Sequence, residues 1–108
     1  SNIREDAAVE LNKIVEVMND YPEMQVELGS HTDCRASKAY NRSLSDRRAK
    51  SSASYIKNKI TNPERLYGKG YGESKLKNNC ECEGSTIVPC TEEEHQENRR
   101  TEFVIIKM

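Results

Sequence analysis

The chain predicts an α/β fold, a two-layer sandwich with helices largely on one face of a mixed sheet. Three observations carry that expectation. Long stretches space their apolar residues at three and four positions, and shorter ones read as strands. Breaks rich in proline, glycine and asparagine put them in the order helix, strand, helix, strand, short helix, strand.

From Arg4 to Asn19, the residues Ala8, Leu11, Ile14, Val15 and Met18 form one stripe at helical spacing, and Asn19-Asp20-Tyr21-Pro22 marks the end. This helix packs on the sheet and leaves its Glu and Lys residues in solvent. Gln25 to Gly29 alternates polar and apolar residues as a half-buried strand does. The polar run Gly29 to Asp33 stops it, so Asp33 is expected just past the strand's end. Ser37 suits the N-cap of a second helix reaching about Lys59, in which Tyr40, Leu44, Ser51, Tyr55 and Ile56 recur on one side. Asn62-Pro63 breaks the chain, and Leu66 to Gly72 reads as a short strand running into a glycine-rich turn. That turn lacks the G-x-x-x-x-G-K-[ST] pattern and opens no clear helix, so phosphate is not expected there. Residues 77–91 form a loop holding Cys80, Cys82 and Cys90, which Gly84 to Pro89 lengthens as a surface excursion. Thr91 caps a short helix from Glu92 to about Asn98, whose first-turn acids suit the positive helix end. In the last strand, Thr101 to Lys107, the run Phe103-Val104-Ile105-Ile106 is apolar on both faces, which predicts an inner strand covered from both sides.

At 108 residues the chain is a single domain, residues 1–108, with a modest core. Hydrophobic residues make up 34% and charged residues 32%, so the surface is heavily solvated. A net charge of −1 with acids and bases interspersed lacks the basic face that nucleic-acid binding needs. No apolar run approaches the roughly 20 residues of a membrane span, no signal-peptide pattern is present, and the piece is expected to be soluble.

The chemistry concentrates between Ser30 and Ala49. Asp33 stands at a helix entrance, and Asn41 and Arg48 lie seven residues apart, so they point almost the same way with about 10 Å between them along the axis. The carboxylate at the helix entrance and the guanidinium further along can both face one pocket. A plainer reading has Asp33 capping the helix and Arg48 merely pairing with it. His31, two residues before Asp33, raises general-base catalysis, but no nucleophile elbow accompanies it. Cys80, Cys82, Cys90 and His95 could offer four zinc ligands, although C-x-C is not the usual C-x₂₋₄-C spacing. The even cysteine count equally suits disulfides, and four cysteines allow three pairings.

At this point the sequence resembles a known family. The run H-T-D at 31–33, then N-x-x-L-S-x-x-R-A at 41–49, and N-R-R-T-E-F at 98–103 resemble the OmpA-like peptidoglycan-binding domain, and G-Y-G-E-S-K-L resembles the family's segment after its third strand. The match runs in order over nearly the whole chain. The resemblance implies a β-α-β-α-β-β sandwich whose first strand precedes Ser1, so this chain is expected to be N-terminally truncated. It would lack a loop of the family's pocket and expose a sheet edge able to pair with a second copy.

The resemblance also implies the roles. Asp33 receives the ammonium of meso-diaminopimelate in the peptidoglycan stem peptide, Arg48 clamps its carboxylate, and Asn41 and Arg99 complete the pocket. Thr32 shapes the loop, and Leu44 anchors the helix. Cys90 is expected to bridge to Cys80 or Cys82, with the remaining cysteine reaching Cys34. The implied protein is a periplasmic, non-catalytic module without cofactor or metal. It would tie a protein of the outer membrane of a Gram-negative cell to the wall and touch the membrane only through parts outside this chain. Two alternatives stand beside it: a zinc-dependent or histidine-based cell-wall hydrolase, and a protein-interaction domain without wall affinity.

Overall fold

The central strand of the sheet is β1, Gln25–His31, and the rest of the fold is arranged around it. The computed structural model describes residues 5–78, 80 and 90–108. Among these, α1 is Glu5–Asp20, α2 is Lys38–Lys57, β2 is Leu66–Gly72, α3 is Glu92–Asn98 and β3 is Arg100–Lys107. The expected order of elements is observed. The sheet is mixed, in the order β2-β1-β3, with β1 parallel to β2 and antiparallel to β3.

The core lies on one face of the sheet. Leu11 and Met18 from α1, Ala53 and Ile56 from α2, and Val26, Leu28 and Leu66 from the strands form one buried cluster with Met24. In α1 and β1 the helical and alternating patterns select these residues, but of the side expected for α2 only Ile56 is in the cluster: the helix buries Ser45, Ala49 and Ala53 instead and leaves Tyr40 exposed. Arg65 locks the far end. Its guanidinium donates to the carbonyls of Met18, Tyr21, Met24 and Thr61, joining the exit of α1 to the entrance of β1.

Two features depart from the sequence expectation. The glycines of 68–72 are strand residues rather than a turn, and a Cβ on Gly70 would lie 2.1 Å from the Asp46 nitrogen, one on Gly68 2.4 Å from the Ala49 carbonyl oxygen. They are small because α2 rests its backbone directly on β2. The second departure is β3. It is an edge of the described sheet, not an inner strand, and Phe103, Val104, Ile105 and Ile106 are 36 to 50% exposed. Its pattern is apolar on both faces, but only β1 pairs with it among the described residues. Beside it, an apolar groove of about 760 Å³ runs between α1 and β3, past Leu11, Ile14 and Phe103, to Arg99.

Candidate ligand-binding site

Asp33 follows β1 directly and is buried, 5% exposed. Its Oδ2 accepts from Arg35 Nε and Nη2 at 3.2 and 2.8 Å and from Arg99 Nη1 at 2.5 Å, while Oδ1 accepts from the Arg35 backbone N–H at 2.9 Å. Both guanidiniums also hold the exposed Glu92, Arg35 at 2.9 Å and Arg99 at 2.6 Å. Two carboxylates and two guanidiniums thus form one balanced cluster across the β1–α2 loop, the start of α3 and the entrance to β3. Burial alone would push the Asp33 carboxyl up, but the bonds from Arg35 and Arg99 outweigh it and hold it below the usual range. With Oδ2 crowded and Oδ1 holding one donor, the carboxylate can still accept a further N–H.

The loop is fixed by its neighbours. The Thr32 N–H donates to the Gly72 carbonyl and its hydroxyl to the Asp33 carbonyl, both at 2.9 Å. Asn41, buried in the first turns of α2, donates to the carbonyls of Asp33 and Arg35 and to Glu73 Oε1. Ala36 turns the chain with φ of 79°, a left-handed conformation costly for a residue with a Cβ. Ser37 is the N-cap, accepting from the Tyr40 N–H. Asp33 therefore does not cap the helix.

The expected residues fall into two groups. The structure brings Asp33, Thr32, Asn41 and Arg99 together and adds Arg35 and Glu92, which sequence reading passed over. Arg35 stands two residues from Asp33 in a loop, where spacing carries no periodic signal, and Glu92 reads as an ordinary first-turn acid. Arg48 is exposed on α2 and makes no ion pair with Asp33, whose cations are Arg35 and Arg99. It shares the azimuth of Asn41, but the loop reaches only the first turns of the helix. Ser52, one turn beyond Arg48, lines the groove that ends at Arg99, so that helix face borders the cluster from the other side. Leu44 is half-buried on α2.

The catalytic and metal alternatives meet different surroundings. His31 does not converge with Asp33. Its side chain is 2% exposed, stacks on Tyr71 with ring centroids 5.1 Å apart, and has Nε2 3.4 Å from Glu102, while Nδ1 has no partner. Burial, chiefly, pushes its pKa down and favours the neutral ring. Tyr71 in turn donates to Glu27, which pushes the phenol up to about 12. As for zinc, Cys80 and Cys90 lie close to Glu94, but their sulfurs are joined to each other in a disulfide and hold no thiolate for a metal. Cys90 thus pairs with Cys80, one of the two expected options. Cys34 is buried and also disulfide-bonded, and no cysteine among the described residues is free. Cys82, the start of the chain and the excursion from Gly84 to Pro89 lie outside the described residues.

The model of the OmpA family matches residues 1–87. Among curated relatives, 106 residues are 37% identical to the photosystem I P700 chlorophyll a apoprotein A2 of Gloeobacter violaceus, covering 97% of this chain and 12% of that protein. Outer membrane porin F of Pseudomonas aeruginosa is 30% identical over 89 residues, 81% of this chain and 25% of the porin. The chain thus spans a quarter or less of the length of either relative. Among solved structures, the peptidoglycan-associated lipoprotein from Burkholderia pseudomallei superposes with a TM-score of 0.77 at 16% identity, over 96% of this chain and 80% of that one. The cell wall anchor of the T6SS from Pseudomonas aeruginosa gives 0.73 at 22%, over 94% and 67%. At such identities the likeness bears on the fold alone.

Proposed function

The chain belongs to the OmpA family, and from that premise we propose that it is a non-catalytic module that binds peptidoglycan through the diaminopimelate of the stem peptide. It would thereby anchor a protein of the cell envelope to the wall from the periplasmic side. One observation carries this reading. Asp33 is a buried carboxylate held rigid by two arginines with an acceptor position to spare, set within the H-T-D and N-x-x-L-S-x-x-R-A frame. The free end of diaminopimelate carries an ammonium and a carboxylate on one carbon. Asp33 would take the ammonium at Oδ1. Arg48, assigned by its place in the motif, would take the carboxylate from the open side, while Arg99, Asn41 and Thr32 hold the wall of the pocket. The names of the lipoprotein and of the cell wall anchor support the same reading. Modest affinity would suffice, because many copies on one polymer act together.

The test is sedimentation with purified peptidoglycan. The parent chain is expected to pellet with the wall, and Asp33→Ala and Arg48→Ala to remain largely in the supernatant. Free diaminopimelate should release the bound protein, and cadaverine, which carries two ammoniums and no carboxylate, should not. Two variants that pellet as well as the parent would overturn the site assignment.

A further inference from the structure

A second pocket adjoins the Asp33 cluster. It is a cleft of about 350 Å³ between the first turns of α2 and the end of β2, lined by Lys38, Arg42, Tyr71, Gly72, Glu73 and Ser74. Its floor is fixed to the site already described. Gly72, with φ of 57°, packs against the Arg42 backbone and accepts the Thr32 N–H, while Asn41 bonds both the Asp33 carbonyl and Glu73.

The charges of this cleft are only partly engaged by the fold: Arg42 acts on Asp46, one turn on, and Lys69 and Lys75 act on Glu27. Lys38 and Arg42, one helical turn apart and both exposed, form no ion pair among the described residues. Nor do Lys69 and Lys75, whose ammoniums lie 5.0 and 4.4 Å from the centre of the Tyr71 ring. The acid of the cleft, Glu73, is engaged by Asn41. Cations also oppose the helix dipole at this end, and like charges one turn apart repel. The other two helices begin with acids, Glu5 and Asp6 in α1 and Glu92 to Glu94 in α3, whereas α2 has none in its first turn. Lys38, in the first turn, breaks a local rule without a structural return among the described residues, and such positions are where function is to be sought.

We infer that this cleft is a second subsite, which takes a backbone or terminal carboxylate of the same peptide whose diaminopimelate occupies the Asp33 site. The inference rests on the reading given above. Lys38 and Arg42 supply the cations and the Arg42 guanidinium a bidentate face. Residues of an extended peptide advance about 3.3 to 3.6 Å each, so a neighbouring carboxylate falls within reach of the adjoining cleft.

The experiment uses calorimetric titration of the chain with three probes: free diaminopimelate, a stem peptide with its glutamyl carboxylate and C-terminus free, and the same peptide with both amidated. The exposed double variant Lys38→Gln/Arg42→Gln is expected to lose about tenfold in affinity for the acid peptide, the worth of one charge-assisted contact. It should bind the amidated peptide and free diaminopimelate as the parent does. Equal affinity of parent and variant for the acid peptide, or an equal loss with the amidated one, would overturn the subsite and leave the Asp33 reading standing. A parent chain that binds none of the three probes would bring down both.

Discussion

Asp33 and His31, two residues apart, respond to acid in separate windows. Each has its pKa lowered by the fold, His31 from 6.5 and Asp33 from 3.8. The unfolded chain therefore takes up each proton first as the pH falls. The stability that rests on neutral His31 is complete above 6.5 and declines below it, and the part that rests on ionised Asp33 declines only below 3.8. Urea midpoints measured from pH 8 to 3 are expected to fall in two steps, with the upper step absent in His31→Gln. Wall binding should persist through the upper step, because His31 faces Tyr71 and Glu102 rather than the Asp33 cluster. Binding lost between about pH 7 and 6, the range in which an ordinary histidine titrates, would instead place a histidine in the site.

At the scale of elements, the contact between α2 and β2 sets the position of Asn41 and Arg48. Gly70→Ala drives a Cβ into the backbone at Asp46, where the nearest atoms are main chain and have no rotamer to change. A loss of more than about 3 kcal/mol is expected, a large share of a typical domain's stability. Gly29→Ala, which meets side chains alone, the Tyr71 ring edge at 3.2 Å and His31 Nε2 at 3.5 Å, should cost less; denaturant unfolding of both variants checks the order. These glycines also mark where sequence reading failed. Helical spacing revealed α1 and α2, alternation revealed β1, and Thr91 was legible as a cap because its capping box is local. The glycines of β2 looked like a turn because nothing in their own neighbourhood announces a helix pressing from above. Phe103 to Ile106 looked buried for the complementary reason, since the number of strands beside β3 is a property of the sheet. At the site, Asp33 and Arg99 were legible through their motifs, whereas Arg35 was visible only once the loop was folded.

For the molecule as a whole, β3 is the exposed side. An apolar strand that pairs with β1 alone among the described residues invites pairing with another chain. The isolated domain is expected to self-associate as its concentration rises, and Val104→Lys, opposite Glu27 on the face away from the core, to suppress this in light scattering without lowering the urea midpoint. The ion cluster also has a bearing on time. Asp33 and Arg99 are 66 positions apart, and the α3–β3 segment supplies both Glu92 and Arg99. Until β3 docks, Asp33 is therefore held by Arg35 alone of the two guanidiniums. If the Asp33 site binds as proposed, a copy cleaved before Arg99 keeps Arg35 on Asp33 but lacks the second clamp, and it is expected to pellet less with the wall than the intact chain.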